Sequence, residues 1–479
     1  MKHIYLALLL TLSAVSGLDA RDLKLASIFS DNMVLQRDCD ARIWGTAESG
    51  STVHIKASWG GKTCSATADS EGRWSATLST PGAGGPYTVS VSCGKDRTVL
   101  RDVYCGEVWI ASGQSNMSMP LRGYYGQPVL GSTGEILSSG GTQIHFVNIP
   151  TVPSRTKQDG FEGACWQKAS PENAGECTAV GWFFARSLQS MLGVHVGIIN
   201  ASFSGSNVEA WMPEEACREF SDISVPDPAD TRDMSGGNIA TTLYNGMLNP
   251  VAGFSARGFI WYQGESDVFN VPRFAPATAA MVRHWREAWG DGKMPFYFVQ
   301  IAPYDYTEWN FYTPQWPEIS AWQRDAQRRC LQLIPDSGMA VTLDIGEKNC
   351  IHSSHKREVG ERLALIALAR DYGMSGFDSE SPEFDRMEVK DGKAVLHFRN
   401  CPMGLTTFGR ELTLFEVSGW NRVFVPAEAY IDSDGTVVVS SRLVDTPEAV
   451  RYAYRDYVEA ELFSTGGLPV GTFRTDDWE

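Results

Sequence analysis

Basic clusters, metal-ligand arrays and long apolar runs are all scarce in this sequence of 479 residues. Lys and Arg number 41 against 57 Asp and Glu, giving a net charge of −16 without a basic cluster to offset it. Nucleic acids and anionic membranes are therefore excluded as partners, because neutralising phosphate needs clustered cations. No Cys-x-x-Cys pair and no His-x-x-x-His spacing occurs, so zinc is not expected. Beyond the N-terminus nothing approaches a membrane span, and there is no internal repeat or low-complexity tract.

The N-terminus is the one place where apolar residues run together. Met1-Lys2-His3, the apolar stretch Ile4 to Val15 and small residues up to Ala20 have the three-part layout of a secretory signal peptide. Export to a periplasm or the exterior is expected, and no cysteine follows the run to carry a lipid. Ten cysteines in an exported chain permit disulfides, with Cys64/Cys93 and Cys165/Cys177 as candidate pairs. Cys350 reads as packing rather than chemistry.

The length calls for two or three domains. Residues 21–101 hold short β-like runs such as Ser51-Thr52-Val53-His54-Ile55 and Gly72-Arg73-Trp74-Ser75-Ala76-Thr77, the spacing of a small β-sandwich that either steers glycans or buttresses its neighbour. Across 102–373 strands alternate with helices, with residues 180–191 and 357–371 amphipathic and 296–301 a buried strand. This is the pattern of a three-layer, flavodoxin-like α/β domain. Residues 374–479 turn β-like again. The stretch 226–237 reads as a surface loop near a site. Tyr304, Tyr306, Trp309, Phe311, Tyr312 and Trp316 fall in an aromatic loop suited either to stacking on sugars or to forming a packed lid.

Four blocks carry chemistry. In Gly106-Glu107-Val108-Trp109-Ile110-Ala111-Ser112-Gly113-Gln114-Ser115-Asn116-Met117 an apolar strand ends at a glycine and delivers Ser115 to the start of a helix. There a backbone N–H and the helix dipole favour developing negative charge. The plainer reading of such a serine is an N-cap. Three later blocks change that balance. Gly197 to Trp211 is a strand followed by a small-residue loop containing Gly205. Gly258 to Asp267 ends in a polar turn with the Gln263 amide as an oxyanion donor. Ala340 to Gly346 is a fourth strand, followed by Ile351-His352-Ser353-Ser354-His355-Lys356, which supplies a general base.

In this order the blocks resemble the SGNH (GDSL-like) hydrolases, and within them the sialate O-acetylesterase family with its Gly-Gln-Ser-Asn and Trp-Tyr-Gln-Gly-Glu-Ser signatures. The resemblance runs from about Leu25 to Trp478. It implies Ser115 as nucleophile, His352 as general base, and Gly205 and Gln263 as oxyanion donors beside the Ser115 N–H. It also implies an acetylated sugar or glycan as substrate and no cofactor. Two departures stand out: the aspartate usual three positions before the histidine is Asn349, and the usual Ile-His-Pro is Ile351-His352-Ser353. The partner of His352 is thereby left open among Asn349, Glu347, Asp344 and a backbone carbonyl. His355 competes with His352, whereas His145, His195 and His284 read as structural. Glu265 and Asp267 are too close together to flank a glycosidic bond, and Glu265 reads as a brace for the loop of Gln263. Sialic acid O-acetyl groups are the leading substrate expectation, with Arg122 as the cation for a sugar carboxylate. Acetylated xylan or another polysaccharide is the first rival, and a degenerate glycan-binding protein the second.

Overall fold

Val53, Ile55 and Ala57 are buried while Thr52, His54 and Lys56 are exposed, the period-two pattern of a strand with one wet face. Arg73–Ser79 repeats it, burying Trp74, Ala76 and Leu78. The computed structural model describes residues 22–309 and 318–478. The expected signal peptide at 1–20, and Phe311, Tyr312 and Trp316 of the aromatic loop, lie outside the described residues. Two sheets form the N-terminal sandwich. One contains Lys24–Leu25, Asp40–Thr46 and Arg73–Ser79; the other contains Thr52–Ala57, Thr63–Thr67 and Gly84–Cys93. The 18-residue strand Asp96–Gly113 then pairs with Gly84–Cys93 at its beginning and enters the central sheet at its end. The expected boundary at residue 101 thus falls inside one continuous strand.

The central sheet has the order Ile144–Asn148, Val196–Ser202, Asp96–Gly113, Gly258–Tyr262, Phe296–Val299, Ser337–Ala340, all parallel, with Gln167–Lys168 antiparallel at one edge. Its strands are apolar on both faces, as a sheet covered on both sides requires. Trp109 and Ala111 face a core shared with the helices Ala179–Leu192 and Lys356–Arg370. Val108 and Ile110 face another, shared with Val271–Trp289 and Ile319–Leu333. The result is the expected three-layer α/β architecture. The fourth block's strand sits earlier than its sequence suggests, at Ser337–Ala340, and the chain has already left the ladder when it reaches Val341 and Leu343, although both remain buried. Apolar content marks burial there, not hydrogen bonding to a neighbour.

Beyond Arg370 the chain builds small antiparallel sheets, one of Glu383–Lys390, Lys393–Arg399, Val437–Ser440 and Glu428–Ile431, another around Phe415–Ser418 and Ala449–Tyr452. The β-rich C-terminal region is as expected.

The disulfide expectation is corrected: all ten cysteines are free. Cys64 pairs across the ladder with Ile55, which pairs on its other side with Val91, so Thr52–Ala57 lies between the strands of Cys64 and Cys93. Two interstrand spacings of about 4.8 Å each exceed what a disulfide spans. Cys165, which is exposed, and Cys177, which is buried, are likewise unpaired.

Candidate active site

Ladder register brings the blocks together. Gly113 lies opposite Ser202 on one neighbouring strand and Tyr262 on the other, so the loops beginning at Gln114, Phe203 and Gln263 leave the sheet at one level. The strand order reverses there, which opens a crevice at the strands' carboxyl ends. Gly113 is required: its φ is 136°, and a Cβ would lie 2.1 Å from the Tyr262 carbonyl oxygen. Ser115 opens a helix of only four residues, Ser115–Ser118, so the expected dipole contribution shrinks to that of a single turn. Ser115, 9% exposed, lines one pocket together with Gly205 and His352.

Asn116 locks these segments to one another. Its side-chain nitrogen donates to Glu265 and to the Ile351 carbonyl (3.0 Å), and its oxygen accepts from the buried Lys356 ammonium at 2.6 Å. Burial pushes Lys356 down to about 8, against the charge of Glu265, and raises the Glu265 carboxyl. Glu265 is therefore a brace, as expected, though it holds Asn116 rather than the Gln263 side chain. Gln114 adds a second brace, its oxygen accepting from the Gly264 and Ser266 N–H groups, both at 3.2 Å.

His352 has an unexpected partner. Its Nδ1 lies 2.7 Å from Gln127 Oε1. A carboxamide oxygen only accepts, so Nδ1 carries the hydrogen and Nε2 keeps its lone pair, the tautomer a general base needs. The open alternatives are engaged elsewhere or turned away. Arg362 holds Asp344 by two contacts of 2.7 and 2.6 Å, Ser354 holds Glu347 through its N–H and hydroxyl, and Asn349 is exposed. Burial first, and the Lys356 charge second, push the imidazole down to about 4. His355 pairs with Glu358 instead and does not line the pocket.

Among the described residues the Ser115 and Gly205 N–H groups have no hydrogen-bond partner, as free oxyanion donors would require. Gly205 has a φ of 76°, a left-handed position that glycine adopts without strain. Gln263 departs from its expected role. It is fully buried, outside the pocket wall, and its side-chain nitrogen donates to the Ser206 carbonyl and to Asp267. The physical reason is Asp267, a buried carboxylate that draws the Gln263 amide and the Val208 N–H as donors. Asn207, missed in the sequence, lines the pocket instead, with its oxygen fixed by the Ala210 N–H and its nitrogen without a partner among the described residues. Neither Asn207 nor Gln127 carries a local signal; Gln127 lies 225 positions from the histidine it touches.

Among the described residues no Lys or Arg stands in the pocket wall. Arg122 is exposed and paired with Glu176. Tyr304 and Tyr306 are buried and packed edge to face at 5.0 Å, and Tyr306 reaches the wall. Asn238, just past the 226–237 loop, also reaches it. His284 pairs with Glu219 and Glu287.

Residues 156–369 match the model of the family described as carbohydrate esterase, sialic acid-specific acetylesterase, a stretch that contains Gly205, Gln263 and His352. The chain is 28% identical to the human sialate O-acetylesterase over 409 residues, covering 78% of this chain and 76% of that protein. With the rat sialate O-acetylesterase it shares 25% over 544 residues, 98% of each. The crystal structure of a carbohydrate acetylesterase from Xanthomonas citri superposes with a TM-score of 0.85 at 34% identity, covering 95% of this chain and all of that one. With that agreement in fold and sequence across nearly its whole length, the chain belongs to the sialate O-acetylesterase family of carbohydrate esterases, and it is a carbohydrate O-acetylesterase.

Proposed function

We propose that the protein removes acetyl groups by a serine mechanism, and that its preferred substrate is an O-acetyl ester on a neutral sugar. The convergence of Ser115, the unpartnered Gly205 N–H and His352 on one pocket carries the first part. No hydrogen bond joins Ser115 Oγ to His352 in this structure, so catalysis begins with the serine side chain turning toward Nε2. His352 takes the hydroxyl proton, Oγ bonds to the acetyl carbon, and the oxyanion receives the N–H groups of Ser115 and Gly205. The bond from carbon to the sugar oxygen then breaks, and that oxygen leaves with the His352 proton. Water, deprotonated by the same base, then bonds to the acetyl carbon; the bond from carbon to Oγ breaks, Oγ takes the proton back from His352, and acetate leaves.

The pocket wall supports the choice of sugar. It contains Glu265 and no cation among the described residues, and residues 310–317 include no Lys or Arg. Nearby cations are already matched: Lys348 with Asp305, Arg273 with Glu209 and Asp222, and Lys356 with the charge of Glu265 across their shared partner Asn116. A sugar carboxylate would enter a field of net charge −16 without a counter-ion. A sialate substrate is the second reading, favoured by the names of the mammalian relatives.

Acetate release from acetylated xylan and from O-acetylated sialoglycans, by wild type and Ser115→Ala, tests both parts. Wild type is expected to act faster on xylan, and the variant on neither. Turnover by folded Ser115→Ala removes the nucleophile; faster release from the sialoglycan removes the neutral-sugar preference.

A further inference from the structure

We propose that Gln127 is the positioning residue for the base, so that this active site runs on a Ser115, His352 and Gln127 arrangement with no carboxylate behind the imidazole. The inference rests on His352 acting as the base. Three observations carry it. The 2.7 Å contact between Nδ1 and Gln127 Oε1 fills the place where serine hydrolases put an acid. Every acidic or amide side chain near the histidine in sequence is otherwise engaged or exposed: Asp344 on Arg362, Glu347 on Ser354, Asn349 turned to solvent.

The third observation is the turn that presents Gln127. Tyr124 and Gln127 exchange both backbone hydrogen bonds at 3.0 Å, which fixes the turn at its base. The Tyr124 ring packs edge-on against His352 at 5.3 Å, while its hydroxyl donates to the Ser115 carbonyl at 3.1 Å and lies 2.9 Å from Ser118 Oγ. One turn therefore touches both the nucleophile's loop and the base. A residue that merely closed the turn would need only its backbone; the Gln127 side chain adds the contact to Nδ1.

A neutral amide fixes the tautomer and ring orientation but does not offset the charge of the imidazolium. The groups facing His352 act accordingly: Lys356 opposes protonation from the following helix, Tyr124 presents its ring, burial keeps the Tyr306 hydroxyl protonated, and Glu265 is tied to Asn116. The Cys350 thiol donates to the His352 carbonyl rather than to its ring. The base thus remains unprotonated in acid, with its pKa held at about 4.

The test is the pH–rate profile of p-nitrophenyl acetate hydrolysis by the full-length enzyme and its variants. Gln127→Glu places an anion against Nδ1, and the acid limb is expected to rise by about one unit or more. Gln127→Ala is expected to lose about tenfold or more in kcat with little change in KM, because an unanchored imidazole samples the wrong tautomer. Asn349→Asp, at an exposed position outside the pocket wall, is expected to leave the profile in place. An acid limb unmoved in Gln127→Glu, or one moved by Asn349→Asp, overturns the assignment. Nitrogen NMR of histidine-labelled wild type, with His352 identified from His352→Gln, provides a readout that needs no folded Gln127 variant. Protonated Nδ1 and bare Nε2 at neutral pH support the proposal, and the opposite tautomer sinks it. Ser115→Ala separates the two readings: turnover by that variant removes the serine mechanism whatever the tautomer, whereas a dead Ser115→Ala with an unmoved Gln127→Glu limb removes only Gln127.

Discussion

Asn116 shows at the scale of one side chain how an amide holds a site together. Two donor contacts and one acceptor contact join the nucleophile's turn, the Glu265 turn and the loop before His352. Replacing it with alanine leaves a buried ammonium and a buried carboxyl without their shared partner, a loss of about 1–3 kcal/mol. The same change frees the loop carrying His352, and a displacement of about 1 Å is worth on the order of a hundredfold in rate. Asn116→Ala is therefore expected to lower both the urea midpoint and kcat. A fall in the midpoint with kcat intact would mean the site is held by other contacts. The sequence exposed Ser115, Gly205 and His352 because glycine, strand ends and block order leave local marks. It misplaced Gln263 because its amide goes to whichever group needs it most, and the need of Asp267 arises only from burial.

Elements meet through the pair His145 and His195. His145 Nδ1–H donates to the Asn32 carbonyl at 2.7 Å, so its Nε2 accepts from His195 Nδ1–H at 3.0 Å. His195 stacks on Tyr104 at 3.9 Å, tying two central strands to the N-terminal segment. Burial pushes His145 down to about 3 and His195 to about 4, with the nearby Lys168 charge acting in the same direction on both. The unfolded chain takes up protons near pH 6.5 and the folded one does not, so the pair's contribution is intact above that pH and falls progressively as the medium is acidified toward pH 4. His195→Phe, lacking one such group, is expected to lose less of its unfolding midpoint between pH 7 and 4.5 than wild type; an equal or larger loss would contradict this. The helices at 179–192 and 356–370 are legible to within a residue or two, the first because its apolar periodicity and burial coincide, the second because Leu363 to Ala369 is an unbroken apolar run. The strand Ser337–Ala340 was placed too late, since Val341 and Leu343 are apolar without belonging to the ladder.

Across the whole molecule, Arg324 joins the catalytic layers to the C-terminal sheets. It is fully buried in the helix Ile319–Leu333 and donates to Thr472 Oγ1 at 2.8 Å and to the Asp456 carbonyl at 3.2 Å. Asp456 in turn accepts from the Ser320 N–H and hydroxyl. Leaving these buried acceptors without their donor costs about 1–3 kcal/mol for each unsatisfied group, so Arg324→Ala is expected to unfold at markedly lower urea. A midpoint within experimental scatter of wild type would show the C-terminal region to be independent of this contact.

Alone, the amino-acid order determined the layers, the apolar strands, the family blocks and the three expected site residues that line the pocket, Ser115, Gly205 and His352, because each depends on neighbours along the chain. Only the tertiary structure decided that His352 takes Gln127, that Gln263 turns to Asp267 and that the cysteines stay apart. Those outcomes follow from which polar groups are buried within reach of one another, and donors brought together from distant positions are shared out only once the sheet's register has set the distances.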